Sequence, residues 1–161
     1  MSYDTPNSVV AEIFDNEPKE REGFATAELR PGMGVTFDTS GDANDVSPAG
    51  VNSRTTYVVR VPPQTMSAAS LNSMDTSPID ATIDADDHLY TFGFLRFQQA
   101  RCRVASSSTA AAGDDVGWNS NGEISDVQTD GSTALTTFVG QVRELISDAD
   151  LDNDIAVVEF Y

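Results

Sequence analysis

The sequence predicts a mainly β protein: a small antiparallel β-barrel or sandwich with long loops and an extended N-terminal arm. Three observations carry this expectation. Short runs rich in β-branched and aromatic residues recur about 8–15 residues apart. Gly, Asp and Asn turn signals lie between them, and the strongest is Asn121-Gly122, where both residues tolerate the positive φ of a type I′ hairpin turn. Apolar residues make up 39% of the 161 and gather in strand-like runs such as 57–61 and 155–161, which argues against a disordered acidic chain.

Taken in order, residues 1–23 read as an arm. It holds one apolar patch, Val9 to Phe14, suited to one strand or helical turn, and a charged connector from Asp15 to Gly23. A single β-rich domain follows over 24–161. Phe24, Ala27 and Leu29 lead into a turn at 30–34, and Val35-Thr36-Phe37 alternates as a strand. Residues 39–53, rich in Gly, Asp, Asn, Ser and Pro, read as a long loop. Residues 54–61 form a β-branched strand stopped by Pro62-Pro63. Residues 64–87 read as a polar loop containing Met66 and Met74, with a short strand near 79–83. Residues 89–97 carry apolar side chains on both faces, as a strand buried on both sides or at an interface would.

The remaining elements are strands at 100–104 and 116–119, a returning strand at 123–127, a turn at Asp130-Gly131, a strand at 138–145, an acidic loop at 148–154 and a final strand from Ile155. A helix over 133–146 is the alternative for that stretch. It is disfavoured because Thr136, Thr137, Val139, Gly140 and Val142 are weak helix formers.

Charge narrows the function classes. Asp plus Glu is 26 and Lys plus Arg is 9, a formal net charge of -17. Such a chain repels DNA, RNA and anionic lipid at long range, so neither nucleic acid nor a membrane is an expected partner. The acids are 18 Asp and 8 Glu, and Lys19 is the sole lysine. Short hydrated carboxylates with almost no lysine suit a protein of a salt-loving organism, or of a virus that grows in one.

The catalytic inventory is thin, and no enzyme is expected. Cys102 is the one cysteine, which excludes an intrachain disulfide and a thiolate cluster within one chain. Arg101 and Arg103 flank it and favour a thiolate, but a small semi-buried strand residue is the plainer reading. His88, the one histidine, follows Asp84-Ala85-Asp86-Asp87 in what reads as a solvated turn. There is no glycine-rich phosphate loop, GxSxG or HExxH. An Asp/Glu pair such as Asp114 and Glu159 would have to serve, and nothing in the sequence pairs them. No signal peptide and no membrane span are expected. Trp118 and Tyr90 offer a stacking surface for a carbohydrate or small molecule, although Trp118 also suits the core.

One acidic run has ligand spacing. Asp148, Asp150, Asp152 and Asp154, with Glu159, occupy positions 1, 3, 5, 7 and 12 of a calcium-loop pattern, and Asn153 stands where glycine is usual. The chain reads as a strand after Ile155, so the candidate is a β-type cation loop built on the four aspartates, with Ca²⁺ or another hard cation as its ligand. No other cofactor is expected.

The stretch from Val104 through Gly113-Asp114-Asp115-Val116-Gly117-Trp118, then Asn121-Gly122-Glu123-Ile124, Phe138 to Val142 and Ile155 to Phe160, follows a familiar order. It resembles the small head-decoration or capsid-cementing (capsid accessory) proteins of tailed viruses, and Ile83 to Tyr90 fits haloarchaeal-virus versions. The resemblance covers about residues 80–161, with a weaker echo at Gly32 to Phe37, and departs from the common VGxA strand at Gln141-Val142. It implies a non-enzymatic virion protein on the capsid exterior, bound to the major capsid protein and assembled as trimers or five- or six-fold rings. A tail-tube or head–tail connector protein, and a haloarchaeal binding module, are the alternatives.

Overall fold

The computed structural model describes residues 9–12, 18–62, 78–148 and 151–161. The 64–77 part of the expected 64–87 loop, with Met66 and Met74, and residues 13–17, the end of the apolar patch and the start of the Asp15 to Gly23 connector, lie outside the described residues. What is described is mainly strand, arranged as a closed five-stranded barrel beside a six-stranded antiparallel sheet.

The strands are β1 (Val10–Glu12), β2 (Lys19–Ala25), β3 (Gly34–Phe37), β4 (Asp45–Pro48), β5 (Tyr57–Val59), β6 (His88–Gly93), β7 (Gln99–Arg103), β8 (Asp115–Trp118), β9 (Ile124–Ser125), β10 (Gly140–Ile146) and β11 (Ile155–Phe160). A 3-10 turn covers Pro78–Asp80. The barrel runs β2-β4-β3-β5-β6 and closes through β6 onto β2; the sheet runs β1-β7-β11-β10-β8-β9. All barrel pairings are antiparallel except β2 with β4.

Two strands depart from the sequence expectation. β2 begins at Lys19, so the boundary between arm and domain drawn at residue 23 falls inside a barrel strand. Its charged side chains conceal it, because only Gly23 and Ala25 turn inward while Glu20 and Glu22 face solvent. β4 lies within the stretch read as a loop, and of its four residues Val46 alone is buried. A small barrel closes on main-chain hydrogen bonds and needs few large inward residues from any one strand.

Two apolar clusters make the core. Inside the barrel lie Leu29, Val35, Val46, Val59, Ile83 and Leu89. Between barrel and sheet lie Val58, Phe94, Val116, Trp118, Ile124, Val142 and Phe160. β5 therefore buries Val58 on the sheet side and Val59 on the barrel side, as its unbroken β-branched run requires. β6 is less symmetric than expected. Leu89 and Thr91 are buried, whereas Tyr90 and Phe92 on the other face are half-buried. The stretch 133–146 carries a strand over Gly140–Ile146, not a helix, and a bulge at Arg143 breaks its alternation: Val142 pairs with Val158 and Glu144 with Val157.

The Asn121-Gly122 hairpin joins β8 to β9, but only Gly122 has positive φ (74°). The Asn119 side chain replaces the I′ geometry, its Oδ1 accepting hydrogen bonds from Asn121 N (2.9 Å) and Glu123 N (3.0 Å).

Candidate docking surface

At one end of the molecule four chain segments meet. The turn 94–98 leaves β6, residues 52–56 lead into β5, residues 136–139 lead into β10, and Tyr161 follows β11. Main-chain hydrogen bonds fix them to one another. Phe94 N donates to Thr56 O (3.1 Å), Phe97 N to Phe160 O (2.8 Å), Phe160 N to Gln98 O (3.0 Å) and Tyr161 N to Val139 O (3.1 Å). Asn52 Oδ1 accepts from both Thr136 N and Thr137 N at 3.1 Å.

This end presents large apolar side chains to solvent. Leu95 is 56% exposed, Phe97 58%, Phe138 42% and Tyr161 54%. Of the six large hydrophobic residues exposed among the described residues, four are here; Phe24 and Leu145 are elsewhere. Isolated exposed apolar residues are ordinary, but a group of them at one end marks an interaction surface. Between the barrel and the sheet a cleft of about 400 Å³ opens, lined by Arg54, Thr56, Thr136, Thr137, Phe138 and Tyr161 among others.

The backbone here is strained. Phe97 has φ 70° and Asn52 φ 63°, two of the three described non-glycine residues with positive φ. For a bulky aromatic that conformation is unfavourable by about 1–3 kcal/mol and persists only where its surroundings impose it. They do so at Phe97. Gln98 is buried, its Oε1 accepts from Leu95 N (2.8 Å), and its own N donates to Leu95 O (3.1 Å), which locks the turn that points Phe97 outward. The Arg96 guanidinium lies 4.8 Å from the Phe97 ring centroid.

Tyr161 is also fixed. Its hydroxyl donates to Asp115 Oδ1. Partial burial, with this hydrogen bond and the nearby Asp115 charge, pushes the phenol up to about 12. Next to it Arg143 binds Glu159 (2.5 Å), and this bond holds the Glu159 carboxyl below its ordinary value.

The residues singled out in the sequence fall elsewhere. Among the four aspartates of the candidate cation loop, Asp150 lies outside the described residues. Asp152 is ion-paired with Arg30 (2.6 Å), the main-chain carbonyl of Asp154 accepts from Val104 N, and Glu159 is taken by Arg143 and Gln99. Asp148 O accepts from Leu151 N. No three His, Cys, Asp or Glu side chains among the described residues are grouped to hold a metal ion. Asp114 Oδ2 accepts from Ala111 N, so Asp114 and Glu159 have separate partners. Cys102 is fully buried, and burial pushes its thiol well above the ordinary value, the opposite of activation by its arginine neighbours. Trp118 is fully buried and donates Nε1–H to Thr55 O (2.9 Å), which removes it as a stacking surface. His88 is bound to Glu22 (2.8 Å).

Arg103 is the functional-looking residue that turns out to be architectural. It is 1% exposed and gathers Asp80 Oδ1 (3.0 Å), Ile79 O and Asn153 Oδ1 (3.0 Å), while Asp80 Oδ2 accepts from Asp152 N (3.3 Å). This clamp ties the 3-10 turn and the 151–153 loop to β7. No helix among the described residues is long and apolar enough to cross a membrane. No protein-family model matches this chain, and no curated protein matches it.

Proposed function

We propose that this protein is a non-enzymatic structural component of a virion, decorating and stabilising the outer surface of the capsid of a tailed virus with a salt-loving host. The major capsid protein is its partner. The observation that carries the proposal is the end bearing Leu95, Phe97, Phe138 and Tyr161, where four large apolar side chains are exposed and a locked, strained turn holds Phe97 outward. Strain that is retained at an exposed aromatic is expected where binding uses it. The acidic remainder suits an exterior position facing brine and away from the genome. The order of turns and strands over about 80–161, which resembles capsid accessory proteins, adds the viral context.

The test is attachment to particles. Virions stripped of the protein are incubated with wild type or with the Leu95→Ser/Phe97→Ser double variant and pelleted. Wild type is expected to co-sediment in stoichiometric amounts and the variant to stay in solution. Absence of the chain from purified virions by mass spectrometry overturns the proposal.

A further inference from the structure

β6 runs between two ends of opposite chemistry. At its Gly93 end, Lys19 sits opposite Gly93 in register, Arg54 lines the cleft, and Arg96 lies in the 94–98 turn. None of these three cations makes an ion pair among the described residues, whereas Arg30, Arg60, Arg103 and Arg143 each do. In a chain of net charge -17, cations without an ion-pair partner among the described residues, placed around an apolar surface, are themselves a signal. The nearby Asp115 is engaged by the Tyr161 hydroxyl.

At the His88 end the sign reverses. Phe24 N donates to Asn44 O (2.8 Å), Ala25 N to Asp87 O (2.9 Å) and Asp86 N to Ala25 O (2.8 Å). These bonds bring the 42–45 and 84–87 turns together at Phe24. Asp42, Asp84, Asp86 and Asp87 are all exposed there, and none is ion-paired among the described residues. Phe24 itself is 47% exposed. The Arg21 guanidinium reaches this end, held on Ala43 O (3.0 Å) and over the Phe37 ring, and Arg60, ion-paired with Glu20, lines a cleft with Asp87 and His88. The two ends are separated by the length of β6, about 20 Å at 3.3 Å per residue.

We infer that the occupant of the cationic, apolar end is the acidic end of a second copy of this chain, with Phe24 at the centre of the contact. The inference rests on reading the Leu95/Phe97 end as a docking surface; it seats a second copy there, so that the assembled copies, through their remaining surface, are what the capsid protein holds. Two cationic ends meeting face to face would oppose like charges, which is strongly unfavourable at an interface. Head-to-tail contact instead sets Lys19, Arg54 and Arg96 against Asp42, Asp84 and Asp87, and covers apolar side chains on both sides. Such a contact is heterologous, so copies close into a ring or continue as a filament.

Sedimentation velocity at about 0.1 M and about 2 M salt tests this, since screening weakens the ionic part and salt strengthens the apolar part. Wild type is expected to associate at both. Arg54→Glu/Arg96→Glu and Asp84→Arg/Asp87→Arg are each expected to lower the association constant at least about tenfold at low salt. Mixed together they complement at both junctions and are expected to regain wild-type association, which misfolded variants could not do. A wild-type monomer at both salts, or a mixture that fails to associate, overturns the inference. If wild type is monomeric while Leu95→Ser/Phe97→Ser still loses particle attachment, only self-association falls and the surface belongs to the capsid. If that variant keeps attachment and association alike, the docking surface falls with it.

Discussion

Gly34 packs against the indole of Trp118 so closely that a Cβ on Gly34 would stand 2.5 Å from both Cδ2 and Cε2 of the ring. The same glycine donates its N–H to Gly122 O (2.7 Å) and accepts from Ala49 N (2.8 Å), so neither backbone nor indole has room to withdraw. This is where barrel and sheet meet. Gly34→Ala is expected to destabilise the protein by about 1–3 kcal/mol, the usual range for overpacking. Urea midpoints measure the loss, and a changed near-ultraviolet signal from the single tryptophan locates it.

The Asp80–Arg103 pair is buried on both sides, at 3% and 1% side-chain exposure. Removing one partner leaves an uncompensated charge in the interior, which costs about 3–5 kcal/mol. Asp80→Ala is expected to show a loss of that size. Arg103→Met combined with Asp80→Leu is expected to recover much of it, because an apolar pair of similar volume carries no desolvation penalty. Denaturation of wild type and the two variants separates these outcomes.

Phe97→Gly separates stability from binding. Glycine adopts φ 70° freely, so relief of strain offsets the greater freedom glycine gives the unfolded chain. Thermal unfolding is expected to stay within about 1 kcal/mol of wild type or to improve. Particle attachment is expected to fall sharply, because burying a phenylalanine contributes about 1.5–3 kcal/mol. A large drop in Tm would show that the turn depends on the ring itself.

Tyr161 sets an alkaline limit. Its folded value is raised from about 10 to about 12, so the neutral phenol is favoured in the fold. The stability it contributes is complete below pH 10 and is lost as the pH rises from there through 12. Spectroscopic titration of phenolate is expected to show a late-ionising tyrosine in wild type and to lose that phase in Tyr161→Phe. The same variant should flatten the fall in stability above pH 10.

Much of the fold was legible because these strands bury what they display. Ile155 to Val158 are all buried, and so is the 57–59 strand apart from Tyr57, so composition alone marks them. The turn at Asp130-Gly131 also shows in sequence, where Gly131 has φ 72° and Asp130 binds Ser132 N and Thr133 N. β2 and β4 were hidden because the barrel demands hydrogen-bond partners of them and little side-chain volume. The docking surface was hidden for another reason. Leu95 and Phe97 read as the continuation of an alternating strand, and the reversal that exposes them depends on Gln98 and on Phe160 O, 60 or more residues along the chain. The acidic run at 148–154 showed its spacing plainly, but spacing carries no information about the arginines that engage Asp152 and Glu159.

Closure of the barrel has a consequence for solubility. Strong salt screens carboxylates to within about 3 Å and removes the long-range repulsion that keeps acidic proteins apart. A protein of strands is then at risk of joining neighbours through unpaired main-chain edges. Here one layer has no edge at all, and the other ends in strands of three and two residues, β1 and β9. Hydrogen-bond topology thus supplies a protection against fibrous aggregation that ionic strength cannot switch off.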